Sequence, residues 1–173
     1  MRWILAVLAV LSVVVAVVFV VGMRLPKAHI ARSHATINAP PDSVWRALTD
    51  VEAFPSWRSD VSRVELLPSS GGHKAWREVG KNGTITFEEV AAEPSRRLVS
   101  RIADPSLPFG GTWTYELLPD GGGSRITITE DGVVHNPLFR FMSRYVFGYH
   151  ATQQAYLRAL GRKFGQETTP VRG

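Results

Sequence analysis

The sequence predicts an α+β fold: a curved, seven-stranded antiparallel sheet wrapped on one long C-terminal helix. Two short helices follow the first strand, and a single transmembrane helix precedes the domain. Three observations carry this reading. The run from Trp3 to Met23 holds no charged residue. Between Val61 and Val134, six short segments alternate apolar and polar residues and are separated by turn chemistry. After Asn136-Pro137 the apolar period lengthens to that of a helix and keeps it as far as Phe164.

The first element is "WILAVLAVLSVVVAVVFVVGM". As a helix these residues span about 31 Å at roughly 1.5 Å per residue, against a hydrocarbon core of about 30 Å. Fourteen of them are Leu, Ile, Val or Phe. Valine is a weak helix former in water, but lipid forces every backbone hydrogen bond to close internally. A cleaved signal peptide has a shorter apolar core, about 7–15 residues, and a small-x-small cleavage site. "VGMRLP" matches that poorly. Residues 1–26 are therefore read as an anchor, 27–166 as the folded domain and 167–173 as a flexible tail. Arg24, Lys27 and Arg32 follow the span and Arg2 precedes it, a bias that puts the domain on the cytoplasmic side of an inner or plasma membrane.

"HIARSHATI" reads as a strand with Ala31, Ser33, Ala35 and Ile37 on one face. In "APPDSVWRALTD", Pro40 and Pro41 suit a first helical turn and Asp42 offsets the helix dipole. Val44, Trp45 and Leu48 form its apolar stripe. "VEAFPSWRSD" is a second short piece that Pro55 breaks. Trp57 packs this elbow into the sheet, and Arg58, Ser59 and Asp60 lead into the next strand in solvent. The six strands are "VSRVELLP", "HKAWREVG", "GTITFEEVAAE", "RRLVSRIAD", "GTWTYELLP" and "SRITITEDGVV". "SSGG", "KNGT", "EPS", "PSLPFG" and "PDGGG" join them, and Asn82-Gly83 is a type I′ hairpin signal. Asn136 caps the last helix and Pro137 opens it. One stripe is Leu138, Phe141, Met142 and Tyr145; another is Tyr156, Leu157, Leu160 and Phe164. Gly148 between them bends or breaks the helix. A sheet of this shape buries its apolar face on the helix and leaves a gap that suits apolar ligands.

Composition removes several functional classes. Net charge is +5, and without Arg2 and Arg24 the basic residues number 18 against 15 acidic ones. That excess is too small for a nucleic-acid surface. There is no cysteine, hence no disulfide or thiolate metal site. The five histidines lack H-x-x-x-H and H-E-x-x-H spacing, so no metal is expected. Nucleophile-elbow, Walker and dinucleotide glycine patterns are absent, and no cofactor is expected.

"INAPPDSVWRALTDVEAFPSW" resembles the opening signature of the START/Bet v 1-like superfamily, whose bacterial members include the SRPBCC, or polyketide cyclase/dehydrase, proteins. Ile37, Ala39, Pro40, Val44, Trp45, Asp50, Pro55 and Trp57 carry the pattern. "EPSRRLVSRI", "GTWTYELLP" and "SRITITEDG" resemble the family's middle and late strands. The resemblance covers about Ala31 to Phe164 and implies a helix-grip domain with an internal cavity. It implies no single activity, since the superfamily holds carriers and enzymes alike.

Alternation then selects residues. Trp113, Tyr115 and Leu117 share a face, as do Ile126, Ile128 and Glu130, and Ile85, Phe87 and Glu89. A carboxylate on such a face needs a partner or a raised pKa, unless it sits at a strand end already in water. Arg77 and Arg101 are candidate partners. Glu89, Glu130 and His135 are the acid/base candidates. Trp76, Phe87, Phe109, Trp113, Tyr115, Phe141 and Tyr145 are the candidate wall or lid, with Phe109 in the glycine-containing "LPFGG" as a gate. The leading expectation is a membrane-tethered domain that binds or transports a hydrophobic small molecule: a lipid, quinone or polyketide-like compound. A small cyclase or dehydratase-like enzyme is one alternative. A membrane-bound protein-interaction domain without a ligand is the other.

Overall fold

The computed structural model describes residues 2–70, 72–81 and 83–173. α1 (Arg2–Arg24) is long and apolar enough to cross a membrane. β1 (Ala28–Ile37) follows and buries Ala31, Ser33, Ala35 and Ile37, the face that alternation selects. α2 (Pro41–Thr49) opens on Pro41 and buries Val44, Ala47 and Leu48. A 3-10 turn (Val51–Ser56) accommodates Pro55 and buries Val51 and Phe54.

Six strands follow as an antiparallel meander: β2 (Val61–Ser70), β3 (His73–Gly80), β4 (Gly83–Glu93), β5 (Arg97–Ile102), β6 (Phe109–Asp120) and β7 (Gly123–Val134). β1 closes on β7 along its whole length, from Ala28↔Val133 to Ile37↔Ser124. The sheet has eight strands rather than the expected seven. The extra one, β8 (Val171–Arg172), pairs with His34 and Ser33 on the free edge of β1. Thr168 is buried and Gln166 donates to the Thr36 carbonyl at 2.9 Å, so the end of the chain is held by backbone groups that a side-chain pattern does not display. Asn82 and Gly71, which belong to two of the predicted turns, lie outside the described residues; β3 and β4 pair from Gly80↔Gly83 onward.

The C-terminal helix is not continuous. Asn136 caps α3 (Pro137–Met142) through its side-chain oxygen, which accepts from Leu138 N at 2.9 Å. A π-helical turn (Ser143–Phe147) follows, and the chain breaks at Gly148. α4 (Ala151–Lys163) then lies on the sheet and buries Gln153, Tyr156, Leu157, Ala159, Leu160 and Gly161. Its main contact is with β1. α3 instead packs against α1. Half of the predicted grip is therefore turned away from the sheet.

Gly148 has φ 74° and ψ 149°, a conformation open essentially to glycine alone. Gly148→Val should cost about 1–3 kcal/mol. Urea unfolding of the full chain followed by tryptophan fluorescence should show the midpoint falling. An unchanged midpoint would mean that glycine does not set the break.

Candidate functional site

The antiparallel register aligns side chains in transverse rows on the face that α4 covers. One row is Leu98, Tyr115, Ile128 and Ser33. α4 closes it: Tyr156 meets Tyr115 with ring centroids 5.6 Å apart, and His150 Nδ1 lies 3.3 Å from Ser33 Oγ. The adjacent row, one step nearer α1, is Glu89, Ser100, Trp113, Glu130 and Ala31. Beyond it come Gly111, Gly132 and His29, with Phe87, Ile102 and Trp76 in register across the far strands. Ile126, Ile128 and Ile37 are fully buried under α4, whereas Ile85, Phe87, Glu89, Ile102 and Trp113 are half-buried. The concave face is thus sealed over β1 and β7 and, at Leu98, Ser100, Tyr115 and Leu117, over β5 and β6 as well. Only its α1-proximal part, around Phe87, Ile102 and Trp113, is partly open, and this part is the aromatic groove.

Two carboxylates sit in this groove, in one row with Ser100 and Trp113 between them. Glu130 is mid-strand, not at a strand end, and its Oε1 lies 3.5 Å from His29 Nε2. The His29 ring stacks on Tyr149 at 4.0 Å. Gly132 makes this possible: a β-carbon there would overlap the His29 ring. Glu130 Oε2 is buried with no hydrogen-bond partner among the described residues, and so is Gln153 Oε1. Ala31 faces Glu130 in the register, and its carbonyl accepts from Gln153 Nε2 at 2.9 Å. Buried acceptors without donors are costly, so the groove is chemically suited to a ligand that brings donors. Glu89 approaches His73, at 3.8 Å. Neither glutamate meets the expected arginines. Arg101 pairs with Glu88 and Arg77 with Glu65.

Beneath the groove lies an ion pair that the sequence reading places in solvent. Arg58 is only 12% exposed. It donates to Glu78 Oε1 at 3.1 Å and to Asp60 Oδ2 at 2.7 Å, with Glu78 Oε2 3.0 Å from Nη2. Trp76 Nε1 also donates to Glu78, at 3.1 Å. The guanidinium lies 5.1 Å from the Phe54 ring centre and 5.2 Å from that of Tyr156. Trp57 meets Phe54 and Tyr156 edge-on. Burial disfavours the charged guanidinium, but Glu78 and Asp60 outweigh it and hold Arg58 protonated. Burial pushes the Asp60 carboxyl up, and the Arg58 hydrogen bond and charge more than reverse this, so Asp60 stays below the ordinary aspartate range. Tyr115 and Tyr156 are both pushed up, chiefly by burial. They remain neutral phenols.

Residues 28–163, which hold the curved sheet, the elbow and α4, match a known family model described as polyketide cyclase / dehydrase and lipid transport. The chain belongs to that family. No curated protein matches it in sequence. The fold is that of the Zhui aromatase/cyclase from Streptomyces sp. R1128, at TM-score 0.68 and 19% identity over 80% of this chain and 94% of that one. The TTHA0849 protein of Thermus thermophilus is similar at TM-score 0.63 and 22% identity, over 79% and 97% of the two chains. The di-domain aromatase/cyclase StfQ of the steffimycin pathway gives TM-score 0.63 at 14% identity, over 80% of this chain and 51% of that one.

In this member of the family, Trp76 stacks on Phe87 and Trp113 meets Tyr115 at a tilt, two aromatic pairs that belong to separate clusters. Phe109 opens β6, where Gly110 and Gly111 pair with Val133 and Gly132, so the end of "LPFGG" is the start of a ladder strand. Phe141 and Tyr145 meet at a tilt, centroids 5.0 Å apart, on the segment before α4, and Tyr145 is exposed. His135 is exposed on the loop before α3. The sequence reading missed His29, Gln153, Arg58 and Glu78. Glu78 was legible: it shares strand parity with buried Trp76. A separate hollow of about 480 Å³ between α2, the 3-10 turn and β2–β3 carries Arg46, Asp50, Glu52 and Lys74 and lacks the aromatic wall.

Removing one member of a buried pair leaves an uncompensated charge, which costs about 3–5 kcal/mol. Glu78→Leu should therefore lower unfolding free energy by that order, and Arg58→Met with Glu78→Leu should recover most of it. Urea denaturation of the two variants makes the comparison. A double variant no more stable than the single one would show that the charge is not the constraint.

Proposed function

We propose that this chain is a membrane-tethered binder or carrier of a hydrophobic small molecule that bears a hydrogen-bond donor. The observation that carries the reading is the partly open aromatic groove with a buried, partnerless Glu130 oxygen beside Trp113. Phe87 and Trp113 supply apolar area, at about 25 cal/mol per Å² removed from water, and Glu130 and Gln153 supply direction. The family description, which includes lipid transport, supports this ligand class. α1 acts as the tether and keeps the groove beside the phase where such ligands concentrate.

One observation favours a second reading. The Glu130–His29 pair can move a proton, and 3.5 Å is a separation that a bound substrate can tighten. With aromatase/cyclases among its structural neighbours, the chain would then act on a polyketide-like compound, with Glu130 as base and His29 as its positioning partner.

Native mass spectrometry of the full chain extracted from its membrane should reveal a co-purified apolar molecule. Trp113→Ala should lower occupancy by about tenfold or more, equivalent to about 1.4 kcal/mol. Glu130→Gln separates the readings: loss of occupancy fits the carrier, whereas retained occupancy with abolished turnover fits the enzyme. No co-purified molecule and no affinity for a lipid panel would sink both.

We further propose the cytoplasmic side for the domain, because Arg24, Lys27 and Arg32 outnumber Arg2. C-terminal reporter fusions should be active in the cytoplasm; activity only across the membrane would reverse the topology.

A further inference from the structure

The reversal of the chain after β7 brings α3 back along α1. Val134 N donates to the Lys27 carbonyl at 2.8 Å. Further on, Arg140 Nη1 donates to the Leu25 carbonyl at 2.9 Å and Nη2 reaches the His135 carbonyl. The Pro137 carbonyl then lies so close to Gly22 that a β-carbon there would overlap it. α3 therefore starts against Gly22 of α1 and packs on the apolar end of that helix. The less exposed positions on α1 are Val18, Val21 and Gly22, and Leu25 just past its end continues that stripe. Val18 lies six residues inside Arg24, or about 9 Å at 1.5 Å per residue.

The outer surface of this returning segment is apolar. Leu138, Phe139, Tyr145, Val146 and Phe147 are 44–63% exposed. Large exposed apolar patches need a cover. The charge pattern says which cover fits. From Gly132 to Gln166 there is no Asp or Glu, and the returning segment itself carries Arg140, which is buried against the Leu25 and His135 carbonyls, and an exposed Arg144. Apolar and aromatic side chains with arginine and no acid suit an anionic lipid surface, where a segment sinks about 5–10 Å into the headgroup–acyl boundary. The contact depth along α1 is of that size.

We propose that α3 and the π-helical turn are a second membrane-embedded element, seated in one leaflet beside α1, with the lipid bilayer as the occupant of their exposed face. The Gly148 break frees them from the sheet to do this. It also leaves Glu89, Trp113 and Glu130 only partly covered at the α1-proximal end of the groove, so the mouth faces lipid. The inference rests on the reading of α1 as a bilayer span.

Because the chain has no cysteine, single-cysteine spin labels test it directly. Full-length Phe147→Cys, Leu138→Cys, Val13→Cys and Leu118→Cys variants are labelled and reconstituted in nanodiscs containing anionic phospholipid. Collision with oxygen, which partitions into acyl chains, is compared with collision with a water-soluble nickel chelate. The expected result is an oxygen-to-nickel ratio at Phe147 and Leu138 several-fold above that at Leu118, on the exposed end of β6, and approaching that at Val13. A lipid-like Val13 with a water-like Phe147 would overturn the proposal and leave the anchor standing. A water-like Val13 would overturn the anchor, and the proposal with it. Phe147 shielded from both collision partners would overturn it in favour of a protein contact.

Discussion

The buried Arg58–Glu78 pair is the constraint on which the rest of the domain depends. Arg58 comes from the elbow after the 3-10 turn, Glu78 from β3, and the rings over the guanidinium from Phe54 and from Tyr156 of α4. One side chain thus ties elbow, sheet and helix together. A guanidinium so deep in an aromatic shell is tolerable only because Glu78 is held on both oxygens and Asp60 supplies a third contact. The same arrangement fixes Trp76 through its indole nitrogen, and Trp76 fixes Phe87 by stacking. The aromatic wall of the groove is therefore positioned from below by a polar network. An apolar floor of equal volume would offer no such directional control.

Much of the architecture follows from local chemistry and was legible for that reason. Period-2 alternation matches the buried faces of β1, β6 and β7, because the pleat leaves a side chain only two faces. Pro41 and Asn136 open helices for reasons internal to a single turn. The groove's chemistry was less legible. Glu130 can be placed on the inner face, but its partner His29 lies about a hundred positions earlier and meets it only through the β1–β7 register. Arg58 looks solvated in sequence because it neighbours Ser59 and Asp60; its burial is decided by α4, which arrives a hundred residues later. The last strand escapes a pattern reading because β8 is held by backbone pairing to β1, with Val171 itself half exposed.

The helix offers the sharpest contrast. Both of its apolar stripes are real, but they serve different surfaces. Tyr156, Leu157 and Leu160 meet the sheet, while the Phe141–Tyr145 stripe leaves it. Periodicity reports that a face is apolar and does not report what covers it. Gly148 decides the matter, because its conformation turns the chain between the two stripes where a side chain would be strained.

That turn links the polar and apolar halves of the proposed function. If the helix ran unbroken, its first half would lie over the sheet and close the groove, and a ligand would have to cross water to enter. With the helix broken, the covering half is free to pack on α1, and the partly covered rows end near the start of β1, a few residues from the end of α1. On the proposed reading, a ligand dissolved in lipid would meet Trp113 and the partnerless Glu130 oxygen without full exposure to water. The desolvation cost of that buried acceptor would then be offset at binding, by the donor the ligand carries. A domain that is less closed than its fold permits is, on this view, one fitted to exchange with a bilayer.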